Sequence, residues 1–111
     1  MAIREEKLSE SCWVLWVDGR LDQSQTGELE ASLNRLLEED QNNLIVDLSQ
    51  TTYINSGGLR SLVTAWRVAN QQGGDLLLSG LNARLEEIFS MVGFDQVFKI
   101  FPTSVEAQKA F

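Results

Sequence analysis

Leu44-Ile-Val-Asp-Leu-Ser-Gln-Thr-Thr-Tyr-Ile-Asn-Ser-Gly-Gly-Leu59 is the stretch from which the architecture of this chain can be read. Residues 44–48 form an apolar run broken only by Asp47, with the length and β-branched content of a buried strand. A polar turn is expected at residues 49–52, followed by Tyr53-Ile54 and then Asn55-Ser56-Gly57-Gly58. From Leu59 the apolar period changes, and Leu59, Leu62, Val63, Trp66 and Ala69 share one helical face. Asn55 and Ser56 therefore stand where a loop becomes a helix. Asn55 is a good N-cap, because its side-chain oxygen can accept from an amide of the first turn. Ser56 follows as the first helical residue, beside unpaired N–H groups and the positive end of the helix dipole.

Gly57 and Gly58 are poor helix residues, each costing about 1 kcal/mol against alanine. Two of them together suggest that something approaches the backbone closely. A serine among bare amides at a helix start is a place for a phosphate. It is equally a plain loop and cap, since Ser, Asn and Gly are common there. A catalytic serine fails on composition: the chain has no histidine, so no Ser-His pair can form. A phosphate-binding P-loop fails too, for no GxxxxGK[ST] pattern is present.

Working outward, residues 3–8 read weakly as a strand, and the short 9–11 loop makes the next strand antiparallel to it. That strand, residues 12–17, is apolar at both parities, so neither face is fully solvated. Trp13 and Trp16 point to opposite faces, either as core or with one on a partner surface. Residues 18–22, Asp-Gly-Arg-Leu-Asp, leave through a turn. A helix starting between Ser24 and Thr26 then carries Leu29, Leu33, Leu36 and Leu37 on one face. Beyond the central helix, residues 71–74 are a glycine stop, and residues 75–79 a short strand. Asn82 caps a helix with Leu85, Ile88, Phe89 and Val92 in register, ended by Gly93. Residues 97–101 read as a last strand. Thr103 with Glu106 makes a capping box for a terminal helix reaching Phe111.

The order is β-β-α-β-α-β-α-β-α: an α/β chain with a mixed sheet of four or five strands and helices mainly on one face. Strands separated by a helix are expected to be parallel neighbours with right-handed crossovers. At 111 residues the chain fits one domain, 1–111. Hydrophobic content of 43% and charged content of 23% are ordinary for a globular protein. A net charge of −7 argues against nucleic acid and anionic membrane as partners. No apolar run reaches membrane-spanning length, and residues 1–7 lack the apolar centre of a secretory signal. Cys12 has no second cysteine to pair with, and a cytoplasmic setting is the expectation.

Residues 44–48 with Ile54-Asn-Ser-Gly-Gly-Leu59 resemble the STAS domain of bacterial anti-sigma factor antagonists, where a strand ending in Asp-Leu precedes Asp-Ser-x-Gly-Leu. Residues 18–22 resemble that family's Gly-x-Leu-Asp, and residues 82–93 and the closing segment are similar to its later elements. The resemblance implies a STAS fold and makes Ser56 the phosphoacceptor, with Asn55, Gly57, Gly58 and Asp22 as its support and partner surface. Asn55 replaces the family's usual aspartate, which keeps a cap and removes a negative charge.

It further implies a binding switch with no catalytic residue, metal or cofactor of its own. The partners would be an anti-sigma factor, a serine protein kinase of the GHKL ATPase class, and a phosphatase. The rival within the family is a constitutive interaction subunit, as in a stressosome-like scaffold or a lipid-transport ATPase. Oligomeric state stays open.

Overall fold

The computed structural model describes residues 3–111; Met1 and Ala2, part of the segment read as lacking a signal, and the Ser24 side chain lie outside the described residues. Five strands, β1 (Ile3–Ser9), β2 (Cys12–Leu21), β3 (Asn43–Ile54), β4 (Asp75–Ser79) and β5 (Ile100–Phe101), alternate after the first pair with helices. These are α1 (Gln23–Glu38), α2 (Ser56–Gln71), α3 (Ala83–Met91) and α4 (Ser104–Gln108). The sheet order is the chain order, β1-β2-β3-β4-β5. β1 and β2 are antiparallel and the remaining neighbours parallel. The mixed STAS-type sheet expected from the sequence is therefore present, with five strands.

Each crossover moves one strand in the same direction. With a constant hand, such crossovers put their helices on one side. Leu15, Val17, Leu44, Val46, Leu48, Leu76 and Leu78 accordingly meet Leu29, Leu33, Leu36, Leu62, Ala65, Ala69, Leu85 and Phe89 in one buried cluster. The opposite parity of the same strands is not left to water. Cys12, Val14, Ile45 and Leu77 form a second, smaller cluster with Ala107 of α4. Burial there pushes the Cys12 thiol pKa up, which keeps it protonated. Trp13 and Trp16 do point to opposite faces. Trp13 packs on the larger core and donates to Gln41 Oε1 at 3.1 Å, while Trp16 lies on the α4 side and donates to Glu6 Oε1 at 3.0 Å.

Several boundaries differ from the sequence reading. Residues 49–52 are not a turn: β3 runs through them to Ile54, alongside a β2 that likewise continues past Val17 to Leu21. Register shifts after Trp16 and Gly19 accommodate this, and Gly19 takes φ +89°, a backbone few other residues tolerate. Thr51 is buried there, its hydroxyl donating to Val17 O at 2.9 Å, so a polar residue occupies an interior strand position.

The last strand is shorter than expected. The amides of Val97 and Phe98 both donate to Phe94 O at 3.0 Å, holding a tight turn instead of an extended chain. Phe98 is then buried edge-on to Trp66, Phe89 and Phe94, with centroids 6.0–6.2 Å away. Val92, expected on the buried face of α3, is 49% exposed because the helix closes there and Gly93 turns left-handed. α4 ends at Gln108, short of Phe111. No helix among the described residues is long and apolar enough to cross a membrane.

Candidate functional site

β2, β3 and α1 converge on the first turn of α2. Asn55 is the N-cap, with extended backbone (φ −94°, ψ 176°). Its Oδ1 accepts from Gly58 N at 2.8 Å and from Thr26 Oγ1 at 3.2 Å. Thr26 Oγ1 also lies 2.9 Å from Asp22 O, and Asn55 N donates to Leu21 O at 3.1 Å. The amide side chain thus closes the helix start and ties it to α1, while the backbone N–H of the same residue ties it to the end of β2. An aspartate could accept the same two hydrogen bonds, so Asn55 conserves the geometry and changes the charge.

Ser56 follows as the first residue of α2 and is exposed. Among the described residues its hydroxyl has no hydrogen-bond partner. It borders an open depression of about 350 Å³ lined by Gln23, Thr26, Gly27, Asn55, Gly57 and Arg60. Serine hydroxyls that cap or brace are tied to backbone, as Ser61 is to Gly57 O at 3.0 Å. Ser56 is tied to none of the described residues and is exposed.

The two glycines serve different ends. A Cβ at Gly58 would lie 2.9 Å from both Ile54 Cγ1 and Leu21 Cδ2, so what approaches that backbone is the chain's own core. At Gly57 the nearest atoms, Asn55 Oδ1 at 3.4 Å and Thr26 Cγ2 at 3.5 Å, leave room for a methyl group. Its bare backbone faces the depression. Asp22 stands between β2 and α1, joined to the site through its carbonyl and Thr26, with Oδ2 3.7 Å from Arg20 Nε. Arg20 in turn lies over the Tyr53 ring at 4.3 Å, fixing the strand ends just before the site. The structure therefore gathers Asp22, Asn55, Ser56, Gly57 and Gly58 around one turn.

Sequence reasoning passed over two features. Arg60 lines the depression beside Ser56, signalled only by its spacing of four residues along the helix. On the opposite side of the sheet, Asp47 is 3% exposed and collects three hydrogen bonds. They come from Ser49 N (3.0 Å), Ser49 Oγ (2.5 Å) and Ser79 Oγ (2.7 Å). An acid inside an apolar strand, facing a serine inside the next one, was its signal. Among the described residues no group of His, Cys, Asp and Glu could hold a metal ion.

The STAS domain family model matches residues 5–107. A Bordetella bronchiseptica protein described as an anti-sigma factor antagonist, BtrV, is 27% identical over 95 residues, covering 86% of this chain and 82% of its own. Among solved structures, a Thermotoga maritima protein described as an anti-sigma factor antagonist superposes with a TM-score of 0.89 at 21% identity. That match covers 97% of this chain and 92% of the other. The Bacillus cell fate determinant SpoIIAA in its phosphorylated form gives 0.81 at 16% identity, covering 98% of each chain.

Proposed function

The chain belongs to the STAS domain family, and on that premise we propose that it is an anti-sigma factor antagonist, a cytoplasmic protein-binding switch and not an enzyme. Unphosphorylated, it sequesters an anti-sigma factor of the GHKL serine-kinase class. That kinase transfers the γ-phosphoryl group of ATP to Ser56 Oγ, ADP leaves, and a phosphatase later removes the phosphate. The observation that carries this reading is the Ser56 hydroxyl itself. It is exposed, makes no hydrogen bond among the described residues, and stands beside an open depression at a helix start. A kinase needs no rearrangement of this chain to reach it.

The physics of the switch is local. A phosphate adds about −1.5 to −2 charge and three acceptor oxygens to a surface that was neutral at Asn55 and Ser56. The first turn of α2 tolerates that charge, since its amides and dipole favour an anion. A partner fitted to the uncharged surface then meets repulsion and an unpaired desolvated anion. Asn55 supports one other reading. With no carboxylate beside Ser56, the chain could pack constitutively against its partner and never carry phosphate.

Kinase, ATP and intact-mass measurement with phosphopeptide mapping separate the two. One phosphate should enter at Ser56, none into Ser56→Ala, and Ser56→Asp should bind the partner at least about tenfold more weakly, as a charge buried in a contact surface requires. Unchanged affinity of Ser56→Asp would instead establish the constitutive reading.

A further inference from the structure

We infer that Arg60 is the residue that takes up the phosphate of a phosphorylated Ser56, in an ion pair internal to α2; the inference rests on the phosphoserine reading above. α2 contains no Asp or Glu, and its only charged residues are Arg60 and Arg67, in a chain of net charge −7. Arg60 lies four residues after Ser56, on the same helical face, with the acceptor N-terminal to the cation, which is the favourable orientation for such a pair. Helical side chains lean toward the N-terminus, and this one does. Arg60 Nη2 reaches to 3.9 Å from the point a Gly57 Cβ would occupy, a place glycine leaves empty. The guanidinium also lines a second hollow, of about 260 Å³, between α1 and α2. It therefore stands between that hollow and the depression beside Ser56.

Two other arginines are already engaged. Arg20 pairs with Asp22 and covers Tyr53, while Arg35 pairs with Glu5 and Glu39. Among the described residues Arg60 has neither an ion pair nor a hydrogen bond. Its one acidic neighbour in the hollow, Glu30, is 3.5 Å from Ser61 Oγ and outside ion-pair distance of Arg60. A dianionic phosphate with three oxygens matches the planar guanidinium fork better than one distant carboxylate does. Phosphorylation then changes two surface charges together: it adds an anion, and it withdraws Arg60 from any group that Arg60 held on a partner.

The test is a pH titration of the ³¹P resonance in the full chain with phosphoserine genetically installed at position 56. It compares the wild-type background with Arg60→Ala, Arg60→Lys and Arg67→Ala. Both substituted side chains, Arg60 and Arg67, are exposed, so the fold should survive. An opposite charge favours the dianion, so loss of Arg60 should raise the phosphate midpoint by about 0.2–0.4 pH unit, less in high salt. Arg60→Lys should fall between. Arg67→Ala, roughly three turns along the helix, should match wild type. Equal midpoints for wild type and Arg60→Ala, a lysine value no lower than alanine's, or an equal rise in Arg67→Ala would each overturn the inference. Because the phosphate is installed and not transferred, a kinase that ignores Ser56 would defeat the proposed function while leaving this shift intact.

Discussion

β3 and the helix start that follows it carry two pairs of an Asx residue and a serine, and the structure treats them in opposite ways. Asp47 and Ser49 lie on the α4 side of the sheet, where the carboxylate is buried and both its oxygens accept from neighbouring hydroxyls and an amide. Asn55 and Ser56 lie at the strand's far end, where the amide oxygen is occupied by Gly58 and Thr26 but the serine hydroxyl is not used. A buried charge must have its lone pairs satisfied, so the first site consumes the hydroxyls within reach. The second leaves its hydroxyl available.

The largest break in this contrast is Asp47→Ala. Hydrogen bonds to a charged group are worth about 1.5–3 kcal/mol, and the Ser79 hydroxyl would be left buried without this acceptor. The expected loss is about 3 kcal/mol, read as a fall of roughly 10–15 °C in Tm. A change below about 1 kcal/mol would mean the cluster is no more structural than the Ser56 surface. Phosphorylation at Ser56 should be unaffected at temperatures where the variant stays folded.

The paired glycines sharpen the contrast on a smaller scale. Gly58→Ala forces a methyl group against Leu21 and Ile54, and overpacking should outweigh helix propensity by about 1–2 kcal/mol. Gly57→Ala meets nothing closer than 3.4 Å and should be neutral or stabilising by about 0.5 kcal/mol. Urea unfolding of both variants decides the matter, and the same sign for the two would refute the distinction.

The smallest effects belong to the two site residues. Asn55→Ala removes the cap and should cost about 0.5–2 kcal/mol, whereas Asn55→Asp keeps it and should stay within about 0.5 kcal/mol. Ser56→Ala deletes a hydroxyl that bonds to nothing among the described residues, so its stability change should also be within about 0.5 kcal/mol. A larger loss by calorimetry would show that Ser56 is a structural residue after all.

Much of this was legible in the sequence, for identifiable reasons. Apolar runs, helical periodicity and the Thr103 capping box located the five strands and four α-helices, though not the tight turn at Phe94–Gln96, and Asn55 announced its helix start by its chemistry. The extension of β3 through residues 49–52 was hidden because Ser49, Gln50 and Thr52 are exposed, while the buried Thr51 depends on a carbonyl 34 positions earlier. A polar run of that kind reads as a turn until its strand partner is known. Phe98 looked like strand because an aromatic residue fits one, yet it folds into a cluster with Trp66, Phe89 and Phe94 that no local period encodes. The Asp47 cluster joins residues on two strands, so only the β3–β4 register, with Asp47 opposite Ser79, brings it together.

The strand order has a consequence for how the molecule is made. β2 pairs with β1, β3 with β2, β4 with β3, and β5 with β4. No strand has to be inserted later between two that are already paired, and each loop to be closed joins neighbours in sequence. A ribosome that delivers this chain from its N-terminus delivers the sheet one edge at a time. Every new strand finds its partner already synthesised.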